Sequence, residues 1–190
     1  MERNVVVLFK SRNKDNKNVQ GFKERGRAFL WNKNKLPFNR FKHFVDDGLP
    51  GEKCRLYVSV NARDVEKVKR ELLVKLIEEP NYDLTKIDSL VASIAAKPRN
   101  RLENKWLFDV DIEDENRRKL FLEDLAITFR VKMKVGELPD DMHFNVVSTP
   151  HGIGVVVPHG FDTREFLDKW KDVTLKRDGM LFVRMEEKDS

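Results

Sequence analysis

Apolar residues recur along this chain with two different periods, and the places where one gives way to the other mark its elements. Residues 5–9 are a short apolar run that predicts a buried strand, and residues 11–18 behind them form a Lys- and Asn-rich loop without periodicity, expected to be mobile. Phe38, Phe41, Phe44 and Val45 recur at helical spacing ahead of Asp47 and Gly48, which predicts a small amphipathic helix. In residues 54–60 alternation places Leu56, Val58 and Val60 on one face and Arg55, Tyr57 and Ser59 on the other, the pattern of a half-buried strand. Residues 62–78 carry Val65, Val68, Leu72, Leu73, Leu76 and Ile77 at helical spacing up to Pro80. Residues 83–96 repeat the pattern with Leu84, Ile87, Leu90, Val91 and Ile94, between an Asp83 cap and Pro98, so a helical hairpin is expected.

Residues 97–105 are basic, contain a proline and hold few apolar side chains, as a surface connection would. Beyond them the pattern predicts a strand over 106–112, a helix over 115–131 carrying Leu120, Leu122, Leu125, Ile127 and Phe129, and strands over 144–147 and 152–157 joined by a turn at 150–152. Asp162 is a suitable cap for a helix over 163–170, and residues 173–175 and 180–183 close the series as strands. The order β-α-β-β-α-β is that of the ferredoxin-like split unit, an antiparallel sheet with both helices on one face. The expected class is therefore α+β, with an N-terminal α/β half (1–104) packed against a ferredoxin-like half (105–190). No long repeat is visible, only the echo of Pro150-His151-Gly152 in Pro158-His159-Gly160.

Composition narrows the setting. With 190 residues, 40% apolar and 36% charged, the chain can bury one core, or two halves sharing one, beneath a densely charged surface. The net charge of +5 is compatible with a polyanionic partner without identifying one. Cys54 is the only cysteine, which excludes an intramolecular disulfide and a thiolate zinc cluster, and a reducing, cytoplasmic setting is expected. No secretory leader is recognised and no apolar stretch approaches the roughly 20 residues that cross a bilayer, so a soluble protein without a membrane partner is expected.

The candidate chemistry lies in the second half. Asp109 and Asp111 are two residues apart on a predicted strand, so both carboxylates leave the same face. Two like charges there repel, whereas Mg2+ or Mn2+ would neutralise both and prefers hard oxygen ligands. The alternative is a solvent-facing acidic strand. Glu113 and Asp114 fall where a helix-capping role is expected instead. His151, at the turn between two predicted strands, could reach the same face and bond a nucleotide phosphate, with Ser148 and the amides near Gly152 and Gly154 adding donors; otherwise it is a turn histidine. His143 and His159 have weaker claims. A further ligand is Asp172 at a helix-to-strand junction, or alternatively Asp178 in an Asp-Gly turn. Lys176, Arg177 and Arg184 could meet phosphates or simply form a solvated basic edge. In the first half, Arg55, Asn61 and Arg63 are expected to be exposed beside a strand end and to touch nucleic-acid phosphates, with Arg25, Arg27 and Arg40 upstream; the alternative is a solvated strand with Asn61 capping a helix.

An apolar strand bearing two alternate aspartates, a later serine-to-histidine hairpin and a further aspartate ahead of a strand together resemble the archaeo-eukaryotic primase superfamily, which includes primase-polymerases of plasmids and phages. Residues 106–111 (WLFDVD) are similar to its first motif, residues 148–152 (STPHG) to the second and residues 171–173 (KDV) to the third. The resemblance implies that Asp109, Asp111 and Asp172 bind two catalytic metal ions. It implies that His151 contacts the phosphates of a nucleoside triphosphate and that nucleotides are joined on a DNA template, as in primer synthesis for DNA replication. Two other classes stay open from the residues alone: a non-catalytic nucleic-acid-binding module, and a metal-dependent nuclease using the same aspartates.

Overall fold

The computed structural model describes residues 3–133, 144–158 and 160–189. Its strands are β1 (Asn4–Ser11), β2 (Arg25–Asn32), β3 (Lys53–Ser59), β4 (Lys105–Val110), β5 (Asn145–Thr149), β6 (Gly152–Pro158), β7 (Val173–Lys176) and β8 (Met180–Glu187). The helices are α1 (Phe38–Asp46), α2 (Val65–Glu78), α3 (Ile87–Ala95), α4 (Glu115–Met133) and α5 (Arg164–Lys169). The class is α+β, with two four-stranded antiparallel sheets ordered β2-β1-β3-β8 and β5-β6-β4-β7. The chain divides into two compact units, one of residues 1–103 with 180–190 and one of residues 104–179. Among the described residues no helix is long and apolar enough to cross a membrane.

In the first unit, alternation along β1 sends Val5, Val7 and Phe9 to one face, where they pack with Phe29, Leu56 and Val58 against Phe41, Phe44 and Val45 of α1. Val6 faces the other way, into a smaller cluster with Val68, Ala92, Ile94 and Ala95 of the α2–α3 hairpin. The hairpin is as the pattern predicts, with Asp64 accepting from the Lys67 amide and Asp83 from the Thr85 amide at its two starts. Its inward face differs: α3 lies over β2 while α2 packs on α3, so Val68 is the only α2 residue fully buried and Leu73 and Ile77 are exposed.

Five expectations change in this unit. Strand β3 is not half-buried but central, flanked by β1 and β8, so its polar residues are enclosed too. Arg55, Asn61 and Arg63, expected at the surface, are buried. The Arg55 guanidinium lies 2.5 Å from the Asp15 carboxylate, which also accepts from Arg12 at 3.0 Å, and the Arg63 amide donates to the Asn4 carbonyl at 2.7 Å. The 11–18 loop is not loose: the Asn16 side-chain amide donates to Ser11 Oγ and the Lys53 carbonyl, and its oxygen accepts from the Lys53 amide. The 97–105 connection buries Asn100, which donates to Glu71 and to the Ile94 carbonyl. Finally, β8 does not close the second sheet but pairs with β3, its Leu181 and Val183 joining the α1 cluster, so the second unit ends at Gly179.

In the second unit one apolar cluster joins sheet and helices. Phe108, Val110 and Ile112 from β4 and its continuation, with Ile153, Val155 and Val157 from β6, pack under Phe121, Leu125 and Phe129 of α4 and Phe166 of α5. Both helices therefore cover the same sheet face. The buried stripe of α4 is 121, 125 and 129, an i, i+4, i+8 row, while Leu120 and Ile127 face out. Trp170 donates from its indole N–H to Asp124 at 2.7 Å, tying α5 to α4. Helix α5 starts one residue later than expected, so Thr163 rather than Asp162 is its N-cap, and Asp162 accepts from the Arg164 amide from one position further out.

Burial of ionised groups gives the first unit a pH dependence. Burial alone would raise the Glu52 carboxyl, but the Leu49 amide, Ser11 and Arg25 bonded to it outweigh that and hold it below its ordinary value. The same balance, with Arg12 and Arg55 as partners, holds Asp15 low. At Cys54 beside them burial dominates: Arg25 and Ser11 offset it only in part, the Glu52 charge adds to it, and the thiol is pushed up to about 11. Carboxyls depressed in the folded state contribute stability that is complete above their unfolded values and is lost as pH falls through the folded ones. Urea midpoints should therefore fall as pH drops from about 5 to about 3, and the decline should be shallower in Glu52→Gln. A chain stopped at Gly179 should leave the second sheet whole and uncover β3, read as loss of first-unit signals in NMR and new thiol reactivity at Cys54.

Candidate functional site

The site is built on β4, the strand of the second sheet that lies between β6 and β7. Because Phe108 and Val110 must enter the core, Asp109 between them leaves by the face opposite the helices, with Gly154 of β6 and Thr174 of β7 as its cross-strand partners. The β4–β7 register continues one pair further, where the Asp111 amide donates to the Asp172 carbonyl at 3.0 Å. Directly opposed residues of an antiparallel pair share a face, so Asp111 and Asp172 stand side by side with Asp109 two residues back. Asp111 is exposed, and the side chains of Asp109 and Asp172 are 31% and 46% exposed, so water and small ligands can reach these carboxylates.

Each of two carboxylates has a cation beside it. Lys176, opposite Leu107 on β7, bonds Asp109, and Arg117 Nη2 lies 2.7 Å from Asp172 Oδ2. Arg117 is set by the start of α4, where Asp114 accepts from its amide at 2.7 Å, the capping role its position predicts. On the other side of β4 the hairpin from β5 to β6 comes close: a Cβ on Gly152 would lie 1.9 Å from the Val110 carbonyl oxygen, so no larger residue fits without backbone movement. This approach places His151, exposed at the hairpin tip, with Nδ1 4.0 Å from Glu113 Oε1 just past Asp111.

Of the residues expected at the site, Asp109, Asp111, Asp172 and Lys176 thus share one face of the β4–β7 pair, and His151 lies at the tip of the neighbouring hairpin beside Glu113. The others do not join them. Ser148 pairs with Ile153, whose side chain is in the core, so its side chain is on the helix side of the sheet, opposite Asp109. Asp178 lies in the turn at the far end of β7 from Asp111, which favours Asp172 as the third carboxylate. Arg184 is on β8 in the first unit, 2.9 Å from Glu186, and Arg55, Asn61 and Arg63 are buried in that unit. His143 and His159 lie outside the described residues. Arg117 and Thr174 were not anticipated; the Asp114 cap, three residues ahead of Arg117, is the signal that could have placed that arginine beside the strand end.

Three carboxylates on one sheet face are a donor set suited to a hard divalent cation. Among the described residues no three His, Cys, Asp or Glu side chains are gathered into a ligand array; Asp109 and Asp172 are paired with Lys176 and Arg117 instead. Binding a metal here means exchanging those partners for it. Comparison with protein-family models, with curated proteins and with solved structures returns no match. Gly152→Ala should lower unfolding stability by about 1–3 kcal/mol, as overpacking against a neighbouring strand does, measured in urea at neutral pH.

Proposed function

We propose that the second unit is a metal-dependent nucleotidyltransferase of primase-polymerase type, acting on nucleoside triphosphates along a nucleic-acid template. The observation that carries this reading is the backbone pairing of Asp111 with Asp172, which puts three carboxylate side chains on one face of the β4–β7 pair. The strand order β5-β6-β4-β7, with α4 and α5 on one face, supports a ferredoxin-like frame for it. The shared face of Asp109, Asp111 and Asp172, with the histidine hairpin on the adjoining strand β6, supports the reading.

Asp109, Asp111 and Asp172 would hold Mg2+ or Mn2+, which when bound lowers the charge on the triphosphate and assists both attacking and leaving oxygens. The residues of the chain have separable tasks around it. His151, displayed on a hairpin that Gly152 holds against β4, is placed to donate to a phosphate oxygen. Lys176 and Arg117, once released from their carboxylates, supply positive charge to the same group, Arg117 with a fork suited to phosphate. The core-facing residues Phe108 and Val110 keep the strand, and with it the carboxylates, from shifting register.

Titration calorimetry with Mn2+ and a nucleoside triphosphate tests the reading. Metal-dependent nucleotide binding is expected in the wild type and is expected to vanish in the Asp109→Asn, Asp111→Asn double variant with the fold intact by circular dichroism. Incubation with a primed template separates the reactions open to these carboxylates: a lengthened strand is expected, and a shortened one would make the protein a nuclease. No metal-dependent binding in the folded wild type would remove the catalytic reading.

A further inference from the structure

We infer that in the first unit the surface made by α1 with the adjoining parts of β2 and β8 binds single-stranded nucleic acid. Charge is unevenly distributed along this chain. Residues 1–50 hold twelve Lys and Arg against five Asp and Glu, whereas residues 104–179 hold twelve against fifteen. The excess of positive charge is thus on the unit that does not carry the aspartates, and there it meets exposed aromatic surface.

Helix α1 lies on the sheet with an arginine on each flank. On one side the Arg40 guanidinium is 4.4 Å from the ring centre of Phe29 and 5.4 Å from that of Trp31, both on β2. On the other, Arg184 of β8 is 5.8 Å from the ring centre of Phe38, which is 43% exposed. Lys35 and Lys42, exposed on the approach to α1 and on its outer side, have no carboxylate partner among the described residues. The carboxylates near the two arginines, Asp88 at 3.6 Å from Arg40 and Glu186 at 2.9 Å from Arg184, form exposed pairs, which contribute little and exchange readily for a phosphate.

Four cations would attract any polyanion. The aromatic rings decide between them. A base can stack on the exposed Phe38 ring while its phosphates meet Arg184 and Lys42, and the Arg40 guanidinium, backed by the Phe29 and Trp31 rings, extends the same surface. A duplex keeps its bases stacked on each other, and an acidic peptide has none to offer, so a single strand uses the whole surface. The surface replaces Arg55, Asn61 and Arg63, which are enclosed in the same unit, as the contact with nucleic acid. The inference leans on the proposed function only for the identity of the polyanion, and it concerns a different unit from the aspartates, so each can fail alone.

Anisotropy of a labelled oligothymidylate, titrated with the whole protein in EDTA across a salt series, tests it without the metal site. Tighter binding to the single strand than to a duplex of the same length is expected. Arg40→Gln with Lys42→Gln should weaken binding and make the salt slope shallower by about 1.4, 0.7 for each cation. Phe38→Ala, at an exposed position that leaves the fold intact, should weaken binding roughly tenfold with the slope unchanged. Lys119→Gln with Lys171→Gln, on the second unit, should do neither. Absence of binding in the wild type, equal loss in the Lys119 and Lys171 control, or a duplex, heparin or an acidic peptide bound as tightly with Phe38→Ala inert, would each overturn the inference. Oligonucleotide binding without metal-dependent nucleotide binding would instead leave this surface standing and remove the catalytic reading.

Discussion

The alternation of β4 is the constraint on which the second unit depends. One strand must bury Phe108 and Val110 between two helices and two neighbouring strands, and the same pleat then sets Asp109 on the opposite face, with Asp111 following where the backbone still pairs with Asp172. A slip of one residue would put an aspartate in the core and a phenylalanine outside, so the apolar packing that stabilises the unit also fixes where its carboxylates are. Like charges set side by side are costly, and the chain offsets that cost with Lys176 from the next strand and Arg117 from the capped start of α4. Asp109 and Asp172 are thereby each matched by a cation, while Asp111 stays exposed to water.

The first unit solves a different problem. Its sheet is covered on both faces by helices, so its central strand encloses Arg55 and Ser59 as well as apolar side chains, and every enclosed charge has to be matched. Arg55 is matched by Asp15, and Glu52 by Arg25, whose guanidinium lies 4.0 Å from the Phe44 ring centre. These pairs recruit the polar 11–18 segment into the body of the unit. Positive charge not used in this way remains outside, around α1, where Arg40, Lys42 and Arg184 flank the rings of Phe38 and Trp31.

Elements with one clean period were legible from the residues. The α1 stripe Phe41, Phe44 and Val45, the α2–α3 hairpin and the β4 alternation all reflect local rules and appear where the pattern puts them. What escaped was set by tertiary placement. Strand β2, RGRAFLWN, begins with charges and then packs apolar residues on both faces, Phe29 and Trp31 on one and Ala28 and Leu30 on the other, so it has no alternation to detect. The polar positions of β3 resemble a solvated face because alternation cannot tell water from a buried ion partner forty residues away in sequence, as Asp15 is from Arg55. The destination of β8 depends on which sheet has an edge to complete, a choice its own residues do not carry. At the site, the aspartates and His151 were readable as pattern, whereas Ser148 was misplaced by one step of alternation and Arg117 depends on a helix start three residues earlier.

Paramagnetic broadening locates a divalent-cation site directly and so tests the one proposed on β4 and β7. Substoichiometric Mn2+ added to the 15N-labelled protein should bleach the amide signals of Asp109, Asp111, Asp172 and His151 first, with the Asp109→Asn, Asp111→Asn variant left sharp. Broadening centred on other acidic positions, such as Asp46 and Asp47 at the end of α1, or none until Mn2+ is in large excess, would contradict it.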